Sequence, residues 1–407
     1  MTRRTRRPSY WRLALLVILV AAAFYVNQIV VPATPPLFVP TVTPTRSPES
    51  FVNQAEEFYR TGKLTLAIQA YQDAIFSDPT NPALYVALAR LQVFAGDYDE
   101  AVTNTQNALL KNPNNPMAHA VLGWALMFQE KYGEAELEIK KALSLDPNNA
   151  LAYAYYAEVL MAQNDYTLYD KAAEASKKAR DLDPTLMESH RARGIVLLNT
   201  QNLEEAAQEF QAALAINKNI PDLNLYLGIT YKGLGEYDLA QEALLNAYAL
   251  NPTDTVALTE LSRAFFGDGR YPQAAQYAEE AVKVRPEDPR LRGNLGIIYY
   301  KQNELLKAIE ALGLAVRGGA APDGTVVEGL PLDYGRIEEY YWYYGFALAK
   351  SSRCAEAVPV FQALLTGVPG SEVAVYNATE GLALCQQTIE TPPVVETPAA
   401  PVGTPVP

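Results

Sequence analysis

Residues 82–115 read PALYVALARLQVFAGDYDEAVTNTQNALLKNPNN, and this stretch decides the fold. A first apolar run carries the pair Leu88-Ala89, Gly96-Asp97-Tyr98 breaks it, a second run carries Ala101 and Ala108, and Pro113 ends it. Two helices joined by a short turn fit that order, because Gly interrupts a helical pattern and Pro cannot continue one.

Outward from Pro113 the same punctuation returns. Pro79, Pro113 and Pro147 are 34 residues apart, Pro184 follows after 37, and Pro252 and Pro286 are again 34 apart, with Lys218 in the intervening place. Alanine stands twelve residues before each of these seven positions, from Ala67 to Ala274, and five residues before each, from Ala74 to Ala281. A third small residue (Ala55, Ala89, Gly123, Gly194, Gly228 or Ser262) lies a further twelve residues upstream in most units, next to Leu88, Leu122, Leu227 or Leu261 in four of them. Antiparallel helices approach closely only where small side chains face the partner, so each period reads as one tightly packed helix pair. Gly235-Glu236-Tyr237 and Gly269-Arg270-Tyr271 repeat the break between the two helices.

These residues resemble the tetratricopeptide family, whose helix-turn-helix unit of about 34 residues has this layout of small residues and a closing Pro. The resemblance covers about residues 48–388, since Gly296, Ala308 and Ala315 mark an eighth unit and Gly345, Ala357, Phe361 and Pro369 a ninth. It implies an all-α fold, a right-handed α-solenoid of about nine units, with eight in 51–316, the ninth in 337–370 and a capping helix in 371–388 over the last apolar face. The fourth unit departs by three extra residues near Asp165 to Tyr169, and a Gly/Pro-rich insertion at 317–336 separates units eight and nine. Such an insertion forms a loop on one face of a solenoid, as a binding element or a plain elaboration, and its Asp323-Gly324 lacks the spaced acids of a calcium loop.

The N-terminus has another character. Residues 1–12 hold five arginines and no acid, and 13–31 form an apolar run broken only by Asn27-Gln28, long enough to cross a bilayer as a helix. The positive-inside bias puts 1–12 in the cytoplasm and the rest outside, as a signal-anchor; cleavage near Ala21-Ala22-Ala23 as a secretory signal is the alternative. Both readings export the body. The Pro/Thr-rich stretches at 32–50 and 389–407 bracket it as an extended spacer and a disordered tail.

The formal charge is −13, and because the first twelve residues carry five positive charges the remainder carries −18. Phosphate backbones need clustered Lys and Arg, so nucleic acid is not an expected partner. The two histidines, His119 and His190, occupy one repeat position, where other units hold Phe51, Tyr85, Tyr153 and Leu258; that equivalence makes them packing residues. With no phosphate loop, HExxH or GxSxG, no catalytic constellation, cofactor, metal or small-molecule substrate is expected. Cys354 and Cys385 fall at helix ends that lie on one side of an up-down stack, so they can staple the cap in an oxidising compartment or stay reduced.

The resemblance further implies that the first helix of each unit lines a concave groove and meets ligand through set positions. On this chain they give Phe94, Met117, Trp124, Met127, Phe128, Leu151 and Met161 in units two to four, an apolar strip suited to peptide recognition or to superhelix packing. Further on they give Arg191, Lys232, Arg263, Arg290, Lys301 and Lys350, a more basic half suited to acidic segments or simply a solvated face. The Lys and Asn of the family's chaperone-tail binders are replaced by Val52 and Glu56, so terminal-carboxylate clamping does not transfer. The expected protein is a membrane-anchored scaffold of the cell envelope holding a protein or peptide partner. The alternative is an accessory or regulatory subunit of an envelope enzyme or secretion complex, with catalysis in the partner.

Overall fold

The computed structural model describes residues 10–30 and 46–390. Most of the basic N-terminus, the greater part of the Pro/Thr spacer and nearly all of the tail therefore lie outside the described residues. Helix α1 (Tyr10–Tyr25) passes into a π-helical stretch, Val26–Val30. The apolar helix Tyr10–Gln28 is 19 residues long, enough by length and composition to cross a membrane, and none of it is buried in the protein. It starts three residues before the apolar run expected at Leu13.

Nine hairpins follow among the described residues. The first three are α2 (Pro48–Arg60) with α3 (Leu64–Ser77), α4 (Pro82–Ala95) with α5 (Tyr98–Lys111), and α6 (Pro116–Phe128) with α7 (Tyr132–Leu145). The next three are α8 (Ala150–Ala162) with α9 (Tyr169–Leu182), α10 (Met187–Asn199) with α11 (Leu203–Ile216), and α12 (Pro221–Leu234) with α13 (Tyr237–Leu250). The last three are α14 (Thr255–Gly267) with α15 (Tyr271–Val284), α16 (Pro289–Lys301) with α17 (Leu305–Arg317), and α18 (Arg336–Lys350) with α19 (Cys354–Gly367). Helix α20 (Glu372–Glu390) closes the stack. Unit one takes its first residues from the end of the expected spacer, because Ser47 caps α2 and Pro48 opens it.

The hairpins are held by complementary volumes. Gly123, Gly194, Gly228, Gly296 and Gly345 on first helices face Ile139, Phe210, Leu244, Leu312 and Phe361, each sixteen residues later on the second helix. A Cβ at any of these glycines would come within 2.4–2.6 Å of the facing side chain, so the large residue fills the space the small one leaves. The alanines twelve and five places before the closing residue, such as Ala67, Ala101, Ala108 and Ala142, are fully buried between the same helices.

Each turn between paired helices places one residue at positive φ. Gly62, Gly96, Gly235 and Gly269 hold it in four units, and Glu130, Asn164, Gln201, Asn303 and Ser352 hold it in the other five. The larger departures are local too. The extra residues of unit four form a 3₁₀ turn, Tyr166–Leu168. The insertion forms a hairpin in which β1 (Gly319–Ala320) pairs antiparallel with β2 (Val326–Val327). It then returns along the stack: the Leu330 amide donates to Ala315 O at 2.8 Å, and Tyr341 Oη donates to Leu330 O at 2.8 Å. The aromatic cluster of α18 is largely covered, with Tyr340, Trp342 and Tyr344 buried. Cys354 and Cys385 form a disulfide, Cα to Cα 5.4 Å, that ties α19 to α20.

Left-handed backbone costs a non-glycine residue about 1–2 kcal/mol. Because Glu130 is exposed at φ 61°, Glu130→Gly is expected to raise stability by about 1 kcal/mol. Gly96→Glu is expected to lower it by a similar amount, and urea midpoints of the two variants measured together check both signs.

Candidate functional site

First helices pack against both their partners and the first helices of neighbouring units, so α6 and α8 are buried round most of their circumference while α7 and α9 bury one face. Their free faces look into the concave side, and in the N-terminal half that side closes on itself. Asn219, between units five and six, donates from Nδ2 to Arg60 O at 2.9 Å. Gly62 lies against the same Asn219, and Arg90 Nε of α4 donates to Glu188 Oε1 of α10 at 2.7 Å.

Inside this closed turn lies a buried ion-pair chain. Glu158 Oε2 of α8 accepts from Trp124 Nε1 at 2.9 Å, and both its oxygens accept from Arg191 Nη1 of α10 at 2.6 and 2.5 Å. Arg191 also donates from Nε to Asp222 Oδ2 of α12 at 3.0 Å and sits over the Trp124 ring at 5.3 Å. Tyr155 stacks on Trp124 at 4.4 Å, and burial pushes its hydroxyl well above the ordinary tyrosine range. Burial also raises the Glu158 carboxyl, against the opposing pull of Arg191. Burial would lower Arg191, but Glu158 and Asp222 outweigh it and the guanidinium is held more firmly charged than usual.

This closure decides where the expected groove residues lie. Trp124, Met127, Leu151 and Met161 are buried, in keeping with the superhelix-packing alternative, and Arg191, at 1% exposure, is engaged in its ion pairs. Phe94 and Phe128 are half-buried, Phe94 against Trp124 and Phe128 stacked on Tyr98 at 4.7 Å, and Met117 is exposed. With Trp124, Arg191, Asp222 and Tyr226, these aromatics line a cavity of about 540 Å³ between units two and three and units six and seven. The basic residues of the C-terminal half are spread differently. Lys232 pairs with Glu260, Arg263 Nη1 reaches Glu260 Oε1 at 2.6 Å, and Arg290 is exposed with no ion pair among the described residues.

The histidines are structural ties. His119 Nδ1 meets Glu138 Oε2 at 2.5 Å and its Nε2 meets Pro113 O at 3.0 Å; His190 makes the same pair of contacts to Glu209 at 2.7 Å and Pro184 O at 2.8 Å. Tyr85, Asn224 and Arg292 bond the carbonyl six residues before them in the same way, at Pro79, Lys218 and Pro286. This tie from the fourth place of the first helix to the closing residue of the previous unit was not visible as such in the sequence, because four chemically different kinds of side chain make it in five units.

Two family models, both described as tetratricopeptide repeat, match residues 58–125 and residues 121–185, 168–221, 225–276 and 259–325. The chain belongs to the tetratricopeptide repeat family. Among curated proteins it is similar to the BBSome complex member BBS4 of Bos taurus, 30% identical over 122 residues, 30% of this chain and 23% of that protein. It is also similar to the type IV pilus assembly protein PilF of Pseudomonas aeruginosa, 25% identical over 159 residues, 38% of this chain and 63% of that protein. Hsp70-Hsp90 organizing protein 3 of Arabidopsis thaliana is 26% identical over 145 residues, 35% of this chain and 25% of that protein. The chain thus spans less than two thirds of each relative. The crystal structure of the APC/C hetero-tetramer Cut9-Hcn1 superposes with a TM-score of 0.57 at 16% identity, over 65% of this chain and 51% of that one, which shows the shared fold.

Removing one member of a buried ion pair leaves the other uncompensated, at about 3–5 kcal/mol, whereas replacing both by apolar groups costs far less. Arg191→Met is therefore expected to be strongly destabilising, and Arg191→Met with Glu158→Leu to recover much of the loss. A double-mutant cycle by thermal denaturation reads the coupling, and strictly additive effects would show that the pair is not coupled.

Proposed function

Tetratricopeptide arrays suggest a protein-binding scaffold or adaptor, and we propose the particular form this one takes. The chain is a membrane-tethered scaffold that holds a protein or peptide partner on its C-terminal concave half at the cell envelope. The carrying observation is the exposed apolar helix Tyr10–Gln28 standing ahead of a body of tetratricopeptide hairpins. An apolar helix of that length with arginines on its N-terminal side is a tether with the body outside, and the Cys354–Cys385 disulfide fits an oxidising compartment. Arg263 and Arg290 keep accessible side chains on the C-terminal half, and that is where we place the partner. Likeness to a type IV pilus assembly protein supports the second form of this reading, an accessory subunit of an envelope assembly or secretion complex whose chemistry lies in the partner.

Protease added to intact cells is expected to remove the repeat body and leave a small membrane-held fragment; a body fully protected until lysis overturns the topology. Cross-linking followed by capture of the full chain separates the two forms. One stoichiometric assembly or enzyme partner identifies the accessory subunit, a range of client proteins identifies the general scaffold, and no partner at all removes both.

A further inference from the structure

The cavity of about 540 Å³ beside the closed interior falls within the range of about 300–1,000 Å³ typical of small-ligand sites. On the side of units two and three its walls are aromatic. Phe94 meets Trp124 at 5.0 Å and Trp124 meets Phe128 at 5.8 Å, both edge to face, and Tyr98 stacks flat on Phe128. Arg191 already lies over Trp124 and Tyr226, at 5.3 and 6.0 Å from their ring centres. Phe94, Tyr98 and Phe128 carry no cation over their rings among the described residues.

The side of units six and seven carries acid. Asp222, the second residue of α12, and Asp254, which caps α14, both line the cavity. The bases that line it are Arg191 and Arg285, and both are engaged: Arg191 serves Glu158 as well as Asp222, and Arg285 Nη2 pairs with Asp288 Oδ2 at 3.2 Å. Two guanidiniums thus meet four carboxylates. Arg191 reaches only Oδ2 of Asp222, and Oδ1 has no hydrogen-bond partner among the described residues. Asp254 Oδ1 accepts from the amides of Val256 and Ala257, at 2.8 and 3.3 Å, and its carboxylate meets no cation among the described residues. Arg90 and Glu188 cancel each other, Arg193 of α10 does not line the cavity, and the charges next in sequence to lining residues are Asp97, Asp99 and Lys283. Helix ends of both signs meet here, the N-termini of α5, α12 and α14 and the C-termini of α4, α13 and α15, so the backbone adds little net field. The excess acid is felt at the tyrosines. Burial raises the Tyr98 hydroxyl, and of the charges around it Asp222 and Asp254 push the same way while Arg191 opposes. Burial raises Tyr226 to about 12, and there Arg191 is again opposed by Asp222 and Glu158.

We infer that this cavity binds a small organic cation, a protonated amine whose apolar body lies against Phe94, Tyr98 and Phe128 and whose charge is held by Asp222 and Asp254. Rings and carboxylates act together on such a ligand: a cation is drawn to aromatic faces, and in a site with more acid than base it supplies the missing positive charge. An anion meets uncompensated carboxylates, and a neutral molecule of the same shape gains the ring contacts without the charge. The volume admits a whole small molecule, and the rim at Ala95, Gly96, Asn251 and Val256 is exposed, which leaves a way in. Neither Arg263 nor Arg290 lines this site, so ligand and partner occupy different surfaces.

Calorimetric titration of the full chain in a non-ionic detergent tests this with three probes that share one body: benzylamine, benzyl alcohol and benzoate. Benzylamine is expected to bind at one site per chain, benzyl alcohol at least about tenfold more weakly, and benzoate not at all. Raising salt is expected to weaken the amine. Asp254→Asn keeps the helix cap, since Asn serves that place as well as Asp, and is expected to weaken benzylamine about three- to tenfold while leaving benzyl alcohol unchanged. Phe128→Leu is expected to weaken it a few-fold. Equal binding of amine and alcohol overturns the assignment, as does amine binding untouched by Asp254→Asn, which puts the amine elsewhere on an acidic surface. Absence of benzylamine binding in the millimolar range removes the site. A peptide blocked at both ends with a single Lys that binds more tightly than benzylamine overturns it in favour of a partner's side chain, and calcium chloride displacing the amine at lower concentration overturns it in favour of a metal ion.

Discussion

Close approach of two helices at one small residue is the constraint on which the whole array depends. Where Gly194 sits under the Phe210 ring or Gly228 under Leu244, the helix axes come near enough for each pair to bury its alanines completely. Each hairpin then presents a fixed surface to the next, so nine units stack without needing contacts beyond their neighbours. The ring of Phe361 shows how tight this becomes, because it lies between Gly345 of its own unit and Gly381 of the closing helix. A larger residue at either glycine would displace the cap.

Repetition of that geometry brings distant units together. Small rotations between units, added over five of them, set Arg60 beside Asn219 and Arg90 beside Glu188, contacts no single repeat specifies. The buried chain of Trp124, Glu158, Arg191 and Asp222 follows from this curvature. Charged groups removed from water are tolerated only when paired, so the network fixes which units face each other more than it adds net stability.

The period, the hairpins, the insertion and the closing helix could be read from Ala, Gly and Pro spacing because packing within a unit is local and repeats every 34 residues. Concave residues were placed by repeat position alone, and because position along a helix does not reveal superhelix curvature, that placement left open whether Trp124, Met127, Leu151 and Met161 meet a partner or pack inside, as they do. A signal was present nonetheless. Arg90, Glu158 and Arg191 are charges set among buried apolar neighbours, and such a charge requires a partner. Pairing them across units would have pointed to the closed interior. The left-handed turns at Glu130, Gln201, Asn303 and Ser352 were hidden for another reason: the fold imposes a conformation that these residue types do not announce.

The insertion acquires a role through what it positions. Gly318 and Gly329 approach so closely that neither tolerates a side chain, and Leu330 bonds back to Ala315, so the loop leaves α17 and returns to the stack along one path. That path delivers Arg336 to Asn294 at the start of α18, where an uninterrupted repeat would begin its first helix directly after the preceding turn. Leu332 then packs on Gly367, and the Cys354–Cys385 bond fixes α20 behind it. Unit nine is thereby tied to the stack, and Arg336 at its start lines a cavity formed by units seven and eight. A surface elaboration without such ties would leave α18 free to slide against α16 and α17.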